Sequence, residues 1–365
     1  MRKIESHHLE DIALGAAVLG TGGGGDPYVG QLMAMAAIEK YGPVNLISPE
    51  ELDDEAWVVS VGMMGAPTVV VEKIPGGQEP LQAFEALKAH TGKEISAIFP
   101  IEIGGINSLI PVILAATTGL PLVDIDGMGR AFPELQMVTF HLVDIPSGPV
   151  AMADEKGNSV IVNGVDSLWS ERIARQALIT MGGSVTTCDY LMQGFQLKEA
   201  GIHHTFSLAQ RIGETVRSLK HRNESPVEAL VAEVGGTRLF TGKVRNLLRR
   251  NDGGFTKGEV SLSGMGQDQD RTFTLYFQNE FLVAEADGEV VATTPDLLTV
   301  VDAETGVPVT TESLRYGNRL AVIAIPCNEK WRTAKGIETA GPRYFGYDVD
   351  YIPLGAESKE RRVLR

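Results

Sequence analysis

Near the start of the chain Leu9, Ile12, Ala13, Ala16 and Leu19 recur at helical spacing, which predicts a helix over residues 9–19. Residues 20–27 break the period and 29–41 resume it, so two helices meet across a glycine-rich interruption. Short β-rich runs at 56–61, 96–103 and 121–125 then alternate with helical patterns at 81–90 and 106–118. That alternation predicts βαβ units and a mostly parallel sheet, an α/β domain over residues 1–165. Residues 166–181 read as a helix capped by Asp166 or Ser167, with Trp169, Ile173, Ala177 and Met181 as its apolar face. A second helix over 207–219 carries Leu208, Ile212, Val216 and Leu219, and residues 166–235 are expected to be a helical connection.

After Gly235 the pattern changes to short strands at 237–244, 258–262, 271–277, 281–286, 289–293, 297–301 and 319–325. Asp252-Gly253-Gly254, Gln278-Asn279 and Asp287-Gly288 punctuate them, the last being a type I′ hairpin signal. The expected fold class is therefore α/β plus all-β, with an antiparallel β-rich domain over 236–365.

Apolar residues at 43% and charged residues at 22% suit a chain that buries a full core. The 41 glycines follow no collagen period and should mark turns and close backbone approaches. With 32 Lys and Arg against 47 Asp and Glu the net charge is −15, so nucleic acid and anionic membrane are not expected partners. Pro111, Thr117, Thr118, Gly119 and Pro121 interrupt the longest apolar stretch, at 109–123, so no transmembrane helix is expected. Glu5, His7, His8, Glu10 and Asp11 occupy the place where a signal peptide would be apolar, and we expect a cytoplasmic protein. Cys188 and Cys327 lie too far apart for a metal knuckle and should be thiols.

The run Thr21-Gly22-Gly23-Gly24-Gly25-Asp26 is the most conspicuous candidate for chemistry. Successive glycines let backbone N–H groups converge on a ligand, and the helix that follows favours an anion at its N-terminus; a plain turn between helices is the alternative. No lysine stands in or just after it to meet phosphates, so no nucleotide is expected. Ligands of open α/β sheets sit beyond the carboxyl ends of the strands. Those ends read Gly62-Met63-Met64-Gly65-Ala66-Pro67, Glu102-Ile103-Gly104-Gly105-Ile106-Asn107 and Asp124-Ile125-Asp126-Gly127-Met128-Gly129-Arg130. Asp124 and Asp126, two apart on an extended chain, face the same way and with Glu102 are the catalytic candidates. The competing reading makes Asp124 a cap and Asp126 a turn residue. Gly22, Gly23, Gly24, Gly25, Asp26, Asn107 and Arg130 are the substrate-binding candidates. Arg130 and Glu134 are either catalytic neighbours or a surface ion pair. Cys188, His203 and His204 are candidates for a nucleophile and base or for soft metal ligands, a buried structural cysteine and histidines that end a strand being the alternative. His7, His8, His90, His141 and His221 should be surface or structural, and Met33, Met35, Met63 and Met64 should fill core gaps.

The three motifs taken together, from Leu19 to Tyr28, Glu102 to Asn107 and Asp124 to Glu134, resemble the S-methyl thiohydantoin desulfurase family, which is associated with hydantoinase and oxoprolinase proteins. The resemblance spans nearly the whole chain and includes residues 237–244 and 295–308. It implies an enzyme acting on a small cyclic ureide or its thio analogue. In the desulfurase form, water attacks the carbon bearing the S-methyl group, a carboxylate such as Asp124 takes a proton, and methanethiol leaves. A divalent metal on Asp126, Cys188 or His204 is the other way to activate that water. The alternative function is a non-catalytic subunit that docks on a hydantoinase- or oxoprolinase-type partner. In either case a homo-oligomer is expected.

Overall fold

The computed structural model describes residues 1–65, 69, 73, 75–218, 225–252 and 255–354. Ala66, Pro67, Leu219, His221, Gly253 and Gly254, which entered the sequence reading, lie outside the described residues. In chain order the first strands are β1 (Arg2–Ile4), β2 (Val44–Ile47), β3 (Trp57–Gly65), β4 (Ile95–Pro100), β5 (Leu122–Val123), β6 (Ile125–Asp126), β7 (Val150–Ala153), β8 (Ser159–Val162), β9 (Ser184–Gln193) and β10 (Ile202–His203). Eight of them form one mixed sheet in the order β1-β2-β5-β4-β3-β9-β7-β8, while β6 and β10 pair separately. The centre, β2-β5-β4-β3, is parallel. Val58, Val59, Val61, Ile98, Phe99, Leu122 and Val123 are all buried there, the near-continuous apolar pattern of strands covered on both faces.

The region expected to be a helical connection does more than connect. Strand β9 inserts between β3 and β7, antiparallel to both, and so completes the first sheet. Its sequence, Ser184-Val185-Thr186-Thr187-Cys188-Asp189, shows no in-out alternation because both of its faces are buried. The helix Thr205–Ser218 then packs across Leu9–Leu19 at backbone distance. A Cβ on Gly15 would stand 1.7 Å from the Ala209 carbonyl oxygen, and one on Gly213 would stand 1.8 Å from that of Asp11. Arg217 closes the crossing with two hydrogen bonds to the Asp11 carboxylate, at 2.6 and 2.8 Å.

The remaining strands are β11 (Thr237–Asp252), β12 (Phe255–Gly264), β13 (Thr272–Gln278), β14 (Glu280–Ala286), β15 (Glu289–Thr293), β16 (Leu297–Asp302) and β17 (Arg319–Ile325). They form an antiparallel sheet in the order β15-β14-β13-β12-β11-β17-β16, so the chain is α/β plus β-rich. Asp287 and Gly288 have φ of 53° and 83°, the left-handed pair that a type I′ hairpin requires. Among the described residues no helix is long and apolar enough to cross a membrane.

One helix is turned partly away from the face its sequence pattern marks as apolar. Ser167–Thr180, capped by Asp166, buries Ser167, Ser170, Glu171, Ala174, Arg175 and Leu178. Of the expected apolar face, Trp169 and Ile173 are outside, 48% and 44% exposed, while Ala177 is half-buried and Met181 is buried. Its inner face is polar because Glu171 and Arg175 form a buried ion pair beside the cleft described below. Replacing Ile173 by Gln should therefore change stability by no more than ~0.5 kcal/mol, whereas Leu178→Ala should cost about 2–4 kcal/mol. Urea denaturation of both variants checks the orientation, and a large loss at Ile173 would reverse it.

Candidate functional site

The glycine run is a junction between the two sheets. Thr21 accepts the Phe281 N–H at its carbonyl, Gly22 accepts the N–H and hydroxyl of Thr311, and Gly24 accepts the Ile106 N–H. Side chains are excluded by proximity: a Cβ on Gly23 would lie 2.1 Å from Glu280 Oε1, and one on Gly24 would lie 2.8 Å from the Gly104 oxygen. Asp26 caps the helix Pro27–Tyr41 through the Tyr28 N–H at 2.9 Å. Gly24 and Gly25 line a cleft, and Gly22, Gly23 and Asp26 do not.

Three buried carboxylates from three elements border this cleft: Glu102 after β4, Asp189 on β9 and Glu280 at the start of β14. Glu102 accepts the Asn107 amide at 2.6 Å and the Phe132 N–H at 3.1 Å. Asn107 is itself locked to the backbone of Met63, accepting its N–H and donating to its carbonyl. Asp189 accepts the Ser60 hydroxyl. Glu280 takes hydrogen bonds from its own N–H and from that of Gly24. Among the described residues Asp189 Oδ2 and Glu280 Oε2 are buried with no hydrogen-bond partner, which leaves both free to hydrogen-bond a bound molecule. The rim carries Glu134, held by Gln136 and the Tyr344 hydroxyl, and Arg175, held by Glu171 and the Pro133 carbonyl under the Phe255 ring. Met63 and Met64 contribute apolar wall.

Burial raises all three carboxyl groups. Desolvation drives Glu102 well above the usual carboxylate range, and the Glu280 charge adds to the effect. Glu280 is pushed up to about 8 by desolvation, against the pull of Arg130. Asp189 reaches about 6 for the same reason, restrained by hydrogen bonds from Ser60 and Thr187. The cleft thus pairs acids that keep their protons at neutral pH with one that gives its proton up, the separation that acid–base chemistry uses.

The other sequence candidates are distributed differently. Asp124 accepts the N–H groups of Phe206 and Ser207 at the start of the helix Thr205–Ser218, at 2.8 and 3.1 Å, and does not line the cleft. Asp126 accepts the N–H groups of Ile103, Met128 and Gly129 and ties together the loops behind Glu102. Burial brings it to about 7 despite those bonds. The two aspartates diverge because the strand breaks between them, β5 ending at Val123 and β6 starting at Ile125. Arg130 is fully buried and makes no surface pair with Glu134. It donates to the carbonyls of Ala131, Pro295 and Asp296 and to the Thr21 hydroxyl. Cys188 is buried in β9, its thiol pushed far up by desolvation, while His203 and His204 are exposed, so the three do not assemble into a metal or nucleophile site.

Asp189 and Glu280 escaped the sequence reading. Asp189 lay in a strand that went unrecognised, and Glu280 followed Gln278-Asn279, which read as a turn. The available signal was an acid directly after a predicted hairpin break and another inside a β-branched run.

A mixed α/β sheet joined to an antiparallel sheet, with a carboxylate-lined cleft at their junction, is the class of protein these features define. The family models for the S-Me-THD-like N-terminal and C-terminal domains match residues 7–164 and 165–354, and the chain belongs to that family. Its fold is similar to the crystal structure of a protein from Chromobacterium violaceum, with a TM-score of 0.82 and 24% identity over 97% of this chain and 100% of the other. No curated protein matches it.

The raised Glu280 carboxyl has a consequence for stability. Between the ordinary carboxylate range and about 8 the folded protein holds a proton that the unfolded chain releases, so this contribution is complete at low pH and is lost as pH rises. Glu280→Gln removes the titration, and its unfolding free energy should gain on that of the native protein from pH 5 to about pH 8, at a slope approaching ~1.4 kcal/mol per pH unit, and level off above. A gap independent of pH would show that Glu280 titrates normally.

Proposed function

We propose that the chain is a hydrolase of a five-membered cyclic ureide-type ring, with an S-methyl thiohydantoin as substrate and methanethiol as a product. Membership of the S-Me-THD-like family supports the substrate class. The observation that carries the chemistry is that Asp189 and Glu280, at about 6 and about 8, border the same cleft.

In this reading the protonated Glu280 donates to the ring nitrogen next to the carbon that bears sulfur, which makes that carbon more electrophilic. Asp189, ionised, takes a proton from water as its oxygen bonds to the carbon. The tetrahedral intermediate collapses with cleavage of the carbon–sulfur bond. The sulfur leaves with the proton held by Asp189, and the new hydroxyl returns a proton to Glu280 as the carbonyl forms. One water is consumed and both carboxyl groups recover their starting states. Glu102, neutral and fixed by Asn107, offers a further hydrogen bond to the ring.

Thiol release from a panel of S-methyl thiohydantoins, with hydantoins assayed for ring opening, tests the proposal directly. Turnover should follow a bell in kcat/KM, rising through pH ~6 as Asp189 ionises and falling through pH ~8 as Glu280 loses its proton. Asp189→Asn should lower turnover by on the order of 10²-fold or more and abolish the acidic limb. Silence across the panel, with co-purification of a hydantoinase-type enzyme, would favour the partner-subunit reading instead.

Gly23 supplies a separate test. A methyl group there meets the Glu280 side chain at 2.1 Å, and the Gly23 backbone is not left-handed, so the nearest conflict is with Glu280. Gly23→Ala should reduce kcat by about 10²-fold and erase the basic limb. An unchanged profile would remove Glu280 from the mechanism.

A further inference from the structure

The adjacent histidines His203 and His204 take no part in the cleft, yet they are not arranged as ordinary surface residues. Successive side chains of an extended strand point to opposite sides. His204 breaks that rule by adopting φ of 60°, and its N–H donates to the Asp124 carbonyl at 2.7 Å. The two rings come to 6.1 Å between centroids, at 90° to each other. Glu50, in the turn Pro49–Glu51 after β2, joins them, and one ligand atom from each of the three residues lies within 4.8 Å of the others. A non-glycine residue held in the left-handed region requires support from its surroundings and is concentrated at functional sites.

Both rings also have a second nitrogen facing an acceptor. His203 Nε2 lies 2.7 Å from the Lys198 carbonyl oxygen, which can only accept, so this nitrogen carries the proton and Nδ1 keeps its lone pair. His204 turns Nδ1 toward Asp124 Oδ2 at 3.8 Å and Nε2 toward Glu50 Oε1 at 3.9 Å. Histidines that bind metals are oriented in this way, the distal N–H directed at a carbonyl or carboxylate.

We propose that Glu50, His203 and His204 form a binding site for a divalent transition metal of the zinc type, with water completing the coordination. Two imidazoles and one carboxylate suit such an ion better than calcium or magnesium, which prefer all-oxygen sites. None of the three residues borders the cleft, so this ion is not a reactant in the proposed hydrolysis. The bound metal would join the turn after β2 to the start of the helix Thr205–Ser218.

The test uses the full chain made without a histidine tag, stripped with chelator and titrated with ZnCl2 by calorimetry. One equivalent should bind with a Kd on the order of 10 µM. His204→Asn, chosen because asparagine tolerates the left-handed backbone, and Glu50→Gln should each weaken binding by at least ~30-fold. Co2+ in place of Zn2+ should give visible d–d absorption that His204→Asn abolishes. His7 and His8 form the internal control: they are also adjacent, but His8 Nδ1 already accepts the Glu5 N–H at 3.0 Å. The double variant His7→Ala, His8→Ala should bind like the native chain. No saturable binding below ~100 µM, retention of affinity in His204→Asn, or loss in the His7 and His8 variant would each overturn the site.

Discussion

A buried guanidinium holds the two sheets in register. Arg130 is inaccessible to solvent, and a cation there is tolerable only when its donors are matched and negative charge is close. Its N–H groups reach the Ala131, Pro295 and Asp296 carbonyls and the Thr21 hydroxyl, and its Cζ lies 4.2 Å from the centre of the Phe132 ring. One side chain therefore ties the glycine run, the loop after β6 and the segment before β16 together. Phe132 extends the clamp, its N–H bonded to Glu102 and its ring against Trp331, whose indole donates to the Met128 carbonyl. Burial lowers Arg130 to about 10, which leaves it charged at neutral pH and able to restrain the carboxyl group of Glu280.

The elements that the hydrophobic pattern shows clearly are those that a strong break sets off from their neighbours. The helix Leu9–Leu19 and the strands Glu289–Thr293 and Arg319–Ile325 occur where the pattern puts them, and Asp287-Gly288 makes the expected hairpin turn. Strand β9, covered on both sides, has no alternation to detect, and unlike the continuous apolar run of Arg319–Ile325 its threonines and aspartate look like loop chemistry. The helix Ser167–Thr180 misled for a related reason. Periodicity reports that a helix has two unlike faces, but which face turns inward depends on what it meets, and here it meets an ion pair and a cleft.

The site was half legible for a comparable physical reason. Glu102 and Asn107 are placed by local geometry, since both stand at the carboxyl end of β4 where an α/β sheet exposes its functional groups. The glycine run was also visible, though its amides and carbonyls serve the protein: the Gly24 N–H reaches Glu280, and the carbonyls of Thr21 and Gly22 receive Phe281 and Thr311. The rule that residues two apart share a face failed at Asp124 and Asp126 because it presumes an unbroken strand. Glu280 depended on a contact between positions more than 250 apart in the chain, a separation for which no local pattern exists.

That long-range contact is what makes the cleft chemically distinctive. Glu102 and Asp189 belong to the first sheet and Glu280 to the second, and desolvation is the largest cause of the shift in each. Separating the sheets would return water to Glu280 and bring its carboxyl group back toward the ordinary range, where it would be ionised at neutral pH and unable to donate a proton. The glycines at 23 and 24 are the steric condition for keeping that water out, because they let the first sheet's loop approach Glu280 and Gly104 without side chains between them. Proton affinity in this protein is thus a property of the junction, and the residues that create it, Arg130 and the glycine run, do so through packing that keeps the two sheets closed.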